Sequence, residues 1–179
     1  MHNALKKRKE NIAEYILYLY QVEDLIRAFD LDIAMIKEKL MPEYRSDDIT
    51  SDKILDWYKN LIVMMEKEGK KEKGHVQFLS NLIADLNEFH LKLRETETDK
   101  KYISVFSAVS GLLDELREKN PDAESDVQIA LDGVYGYLIL KIRKRQISSS
   151  TEEAIKRLSY WLGYLSSLYR DFENGKLEF

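Results

Sequence analysis

The stretch NIAEYILYLYQVEDLIRAF, residues 11–29, decides how this chain is read. Ile12, Tyr15, Leu19, Val22, Ile26 and Phe29 recur at alternating spacings of three and four, and Ile33, Ile36 and Leu40 carry the same row onward. Apolar residues at that spacing fall on one face of an α-helix. Neither Gly nor Pro interrupts the row before Pro42. As one helix, the segment up to Leu40 would run roughly 58 Å. Asp30 offers an N-cap for a second segment, so the spacing predicts two helices, about 4–29 and 31–41, with a bend between them. The charges among these bulky residues, Glu14, Glu23, Asp24 and Arg27, are read as a solvated flank. Glu23 and Arg27 are four apart and Asp24 and Arg27 three apart, both spacings at which helix ion pairs form.

The rest of the chain repeats the pattern. Ile54, Tyr58, Leu61 and Met65 form a stripe that stops near Gly69, after a start capped by Thr50 or Ser51. Leu79, Leu82, Leu86, Phe89 and Leu93 mark a helix over about 72–97. Asp99 caps the next, which carries Tyr102, Phe106, Val109, Leu113 and Leu116. Asn120, with Pro121 at the first helical position and Asp122 and Glu124 after it, reads as another start. That helix holds Val127, Leu131, Val134, Leu138 and Ile142. Ser150 and Glu153 read as a capping box before Ile155, Leu158, Leu162, Leu165, Tyr169 and Phe172. No segment alternates with period two. The expected fold is all-α, an irregular up-down bundle of six or seven helices forming a single domain over residues 1–179.

Composition narrows the chemistry. The chain has no Cys, which removes disulfides, cysteine nucleophiles and thiolate metal sites. Lys and Arg total 28 against 32 Asp and Glu, a net charge of −4 that argues against a dedicated nucleic-acid partner. The basic N-terminus lacks the apolar stretch of a secretory signal, and no apolar run is long enough to span a membrane. A cytoplasmic protein with no membrane association is therefore expected. Only 7 Gly and 2 Pro occur in 179 residues, in keeping with long helices and short connections.

Motifs exclude more than they assign. Glycine-rich dinucleotide and phosphate loops are missing. Helical ribonucleases carry Arg-x4–6-His, and none of the three His has an Arg at that distance upstream. Glu88 and His90 stand two apart and diverge by roughly 200° on a helix, so they cannot share an ion. His75 and His90 are read as surface or satisfied histidines. No catalytic residue, metal site or cofactor is expected. Ala130, Gly133 and Gly136 are read as small residues that admit a neighbouring helix. Arg143, Lys144 and Arg145, in the run KIRKR, complement a helix C-terminus or contact an anion, with Lys6, Lys7, Arg8 and Lys9 as further cations. Tyr18, Trp161, Tyr164 and Leu168 lie on second apolar lines, which mark either a central helix or a partner contact.

The combination of NIAEYILYLYQVEDLIRAF near the N-terminus with YWLGYLSSLYRDFENGKL at the end resembles an uncharacterised all-helical family of about 180 residues from Bacteroides-type bacteria. The resemblance covers the whole chain. It implies a helical fold and a bacterial cytoplasmic origin, and it carries no activity and no functional residues. The residues then support a non-enzymatic protein that binds another protein or itself, with Tyr18, Trp161, Tyr164 and Leu168 as contacts. The alternative is a small-molecule binder or enzyme, with Glu23 and Arg27 and a Tyr of the last helix in an inter-helix pocket. A weaker third reading is nucleic-acid association through the basic helix ends.

Overall fold

The row from Ile12 to Phe29 forms a helix whose apolar face is enclosed: Ile12, Leu19, Val22 and Ile26 are buried and Tyr15 and Phe29 half-buried. A computed structural model describes residues 7–40, 48–121 and 123–179, with the side chains of 48–51 excepted. Thr50 and Ser51, expected as caps, already lie inside a helix that begins at Asp48, while Lys6, Pro42 and Asp122 lie outside the described residues. The elements are α1 (Ile12–Ala28), α2 (Ile33–Leu40), α3 (Asp48–Lys67), α4 (Gln77–Thr96), α5 (Lys100–Lys119), α6 (Asp126–Ile142) and α7 (Ser149–Glu173). Residues 7–10 are also helical, making eight helices among the described residues, one above the expected range. No strand occurs among them.

Local chemistry sets the helix ends. The Asn11 side chain accepts from Glu14 N at 3.1 Å and starts α1. The long N-terminal row does break, but Asp30 is not the cap. Asp30 and Leu31 both take left-handed backbone, with φ of 51° and 60°, and Leu31 N closes back on Ile26 O at 3.0 Å. Asp32 then accepts from Ala34 N at 2.7 Å and opens α2. Asp99 caps α5 as expected, accepting from Tyr102 N. Two other starts are corrected. Asn120 ends α5, and α6 begins at Ser125, whose hydroxyl accepts from Gln128 N. Ser148, not Ser150, caps α7 through Thr151 N. Helix α4 starts at Gln77, so His75 stands in the connection before it rather than on the helix.

One apolar core joins all seven elements. The longest helix, α7, packs against α1, α4, α5 and α6, while α2 lies on α3 and α3 on α1. The two apolar lines of α7 reflect this central place. Ala130 is buried, and a Cβ at Gly133 would stand 3.1 Å from Leu116 Cδ1, so these small residues do admit a neighbour. Gly136 does not: nothing lies within 4 Å of its Cβ position.

Candidate functional site

Glu23 is 1% exposed, which overturns its reading as part of a solvated flank. Its seam neighbour Val22 turns inward, and the connection before α4 crosses α1 at this level. Oε1 accepts from Val76 N at 2.9 Å, and Oε2 lies 2.6 Å from His75 Nδ1. With the carboxylate ionised, Nδ1–H donates. Arg27, one turn on, reaches the same connection, donating to Lys70 O at 3.2 Å and to Gly74 O. It also pairs with Asp24 at 2.9 Å, the i,i+3 partner rather than Glu23.

The cluster extends to α6. The Tyr20 ring stacks on His75 with centroids 3.9 Å apart, and its hydroxyl donates to Asp132 Oδ1 at 3.3 Å. Asn120 donates to Asp132 Oδ2 at 2.9 Å. Burial, with the Asp132 carboxylate beside it, holds the Tyr20 hydroxyl protonated far above the ordinary tyrosine range. Burial likewise raises Asp132, opposed by its bonds from Asn120 and Tyr20. Tyr135 meets the Tyr20 ring edge-on and donates to Asp24 at 2.7 Å. Glu23 and Arg27 thus do converge, but with Tyr20 and Tyr135 from α1 and α6 rather than a Tyr of α7. Chemically this is a carboxylate–imidazole pair whose remaining ring nitrogen is Nε2. Both Glu23 oxygens are spent on the 70–76 connection, and the Arg27 guanidinium is divided between that connection and Asp24.

A second buried network surrounds Trp161. Its Nε1–H donates to Tyr102 Oη at 3.1 Å, and that hydroxyl lies 2.5 Å from His90 Nδ1. His90 Nε2 stands 3.3 Å from Asp126 Oδ2. A consistent proton arrangement has Tyr102 O–H donating to Nδ1 and Nε2–H donating to Asp126. Arg117 closes the chain on Asp126, with Arg94 3.8 Å away. The bond from His90, helped by Arg117, pulls the Asp126 carboxyl below its ordinary range. Tyr164 donates to Asp99 Oδ2 at 3.0 Å, and burial together with that carboxylate pushes it up to about 12.

This placement corrects part of the contact set. Trp161 is 0% exposed and Leu168 is buried, so both serve the core and neither can meet a partner in this fold. Tyr164 is half-buried under Lys101, and Tyr18 is half-buried and stacked on Trp57 with centroids 6.3 Å apart. Arg143, Lys144 and Arg145 are exposed at the end of α6. They are not joined by Lys7 or Arg8, which pair with Glu14 and Glu173. Among the described residues no group of three or more His, Asp or Glu could hold a metal ion.

Two adjoining clefts of about 340 and 260 Å³ lie between α1, α6 and α7. They share Glu14, Leu17, Val134 and Ser159, and the larger adds Tyr18, Tyr137, Leu138 and Ile155. A third, of about 410 Å³, lies between α5 and α7 beside Tyr160 and the Glu153–Arg157 pair.

A family model described as "Domain of unknown function (DUF4924)" matches residues 1–176. The chain belongs to that family. The DUF4924 match spans every element from α1 to α7, so the two buried networks and the cleft all fall within the family domain. No match was found among curated proteins or solved structures. Among the described residues no helix is long and apolar enough to cross a membrane.

His75, Tyr20, Asp132 and Asn120 were not singled out together from the sequence. The one available signal was Tyr20, beside the seam residue Leu19. His75, 52 residues from Glu23, gave none.

Replacing Glu23 by Ala leaves Val76 N–H and His75 without their acceptor. Urea unfolding should show a loss of about 2–3 kcal/mol, whereas Glu14→Ala, at an exposed carboxylate, should change stability by under about 0.5 kcal/mol. Asp126 yields a pH dependence. Its folded value is lowered, so the stability it adds is present above the unfolded group's 3.8 and is lost as pH falls through the depressed value. The gap in urea midpoint between the wild type and Asp126→Asn should hold at pH 5–7 and close progressively below about pH 4.

Proposed function

We propose that this protein acts by binding rather than by catalysis, and that it self-associates through the cleft between α1, α6 and α7. One observation carries the reading. Helix α6 is apolar on nearly every face, yet only its first half is enclosed. Val127, Ile129, Ala130 and Leu131 are buried, while no side chain from Asp132 to Ile142 is. A helix apolar all round is ordinarily surrounded. Here the second half keeps Val134, Tyr137 and Leu138 along a cleft continued by Leu17 and Tyr18 of α1. Tyrosine and leucine in such a setting suit a helix laid into the groove. Tyr18 survives from the sequence-derived contact set as a lining residue.

The alternative, a ligand pocket at Glu23 and Arg27, draws less support. Those groups are occupied by the 70–76 connection and by Asp24, and they fasten the connection to α1, the role of a clamp. Bacterial cytoplasmic residence fits the helical, Cys-free chain and belongs to the same proposal.

Sedimentation velocity from about 1 to 100 μM should resolve a dimer, and Leu138→Glu should weaken its association at least tenfold, about 1.4 kcal/mol, with an unchanged helical spectrum. A strictly monomeric wild type at about 100 μM would contradict self-association.

A further inference from the structure

The end of α6 carries chemistry that the cleft does not use. Residues 140–146 are exposed without a break, so the last turn projects from the bundle instead of lining it. Leu140 is 41% and Ile142 66% exposed, and Ile142 is the most exposed large apolar side chain among the described residues. Between and after them stand Lys141, Arg143, Lys144 and Arg145, four cations in five positions of a chain whose net charge is −4. Lys141 rests on the Tyr137 ring and feels Glu152. Arg143, Lys144 and Arg145 make no ion pair or side-chain hydrogen bond with the described residues.

Helix capping does not require these cations. Lys144 takes left-handed backbone, φ 51°, and the last carbonyls are met by main-chain donors: Arg145 N to Leu140 O at 2.9 Å and Lys144 N to Lys141 O at 3.0 Å. We propose that this tip docks on an anionic lipid surface, its cations meeting headgroup phosphates while Ile142, the more exposed of the two aliphatic side chains, enters the acyl boundary. Charge complementarity and shape together select that occupant. A flat, anionic, apolar-backed surface accepts a projection in which exposed cations stand beside an exposed aliphatic side chain. A nucleic acid would satisfy the cations but has no use for aliphatic side chains, since bases stack on aromatic ones. A second copy meeting tip to tip would bring two sets of these four cations together. The acidic remainder of the chain, repelled by the same bilayer, turns the tip toward it. The lack of a spanning helix bears on crossing a membrane and not on this peripheral contact.

The test uses the full chain and sedimentable vesicles. One set is phosphatidylcholine with about a third phosphatidylglycerol, the other phosphatidylcholine alone, at low salt and at about 0.15 M. The protein should sediment with the anionic vesicles only, and less at the higher salt. Replacing Arg143, Lys144 and Arg145 together by Gln should lower partitioning roughly a hundredfold, and Ile142→Ser several-fold. All four side chains are exposed, and an unchanged helical spectrum verifies the fold. Absence from anionic vesicles at low salt, equal partitioning on both sets, or undiminished binding of the triple variant would each overturn the proposal. So would retention of polyglutamate or RNA without retention of the vesicles.

Discussion

The arrangement rests on the enclosure of one indole. Trp161 sits at the centre of α7, and α7 packs against four other helices. A large aromatic side chain contributes much apolar burial, but its N–H must be satisfied when water is excluded. Tyr102 of α5 meets that need, His90 of α4 meets the Tyr102 hydroxyl, and Asp126 at the start of α6 meets His90. Arg117 and Arg94 then carry the chain out to solvent. One buried donor thus fixes the relative positions of four helices. Aliphatic packing alone would tolerate more sliding, because apolar contact is not directional.

The Glu23 cluster does a similar task at the edge of the core. A buried carboxylate is costly unless its oxygens are occupied. Val76 N–H and His75 occupy them, and both belong to the connection that leads into α4. Arg27 adds two main-chain carbonyls of the same connection. The charges of the first helix therefore hold a long connection to α1, which in turn sets where α4 begins.

Much of the architecture was legible because it depends on local periodicity. The stripes in residues 54–65, 79–93 and 102–116 turn inward as their spacing implies, and Asp99 caps where a short acceptor before an apolar row should. What failed depended on distant residues. Glu23 looked like half of a helix ion pair because Arg27 was the one visible partner, while its real partners lie in the 75–76 connection. For Trp161 and Leu168 the second apolar line left a central helix and a partner contact both open, and contact on four sides of α7 decides for the first. Asn120 matched a helix start but ends α5 and binds Asp132, a role that requires α6 alongside. In α6 the expected stripe holds only in part: Val127 and Leu131 are buried, but Val134 and Leu138 are half-buried and Ile142 is exposed, and this half-open second half is the basis of the proposed binding role.

Tryptophan fluorescence of a Trp57→Phe variant, which leaves Trp161 as the only indole, tests the central claim most directly. The account predicts blue-shifted emission resistant to iodide in the folded protein, moving to the red and becoming quenchable only on unfolding. Red-shifted, readily quenched emission from the folded variant would place Trp161 in water and contradict a core assembled around it.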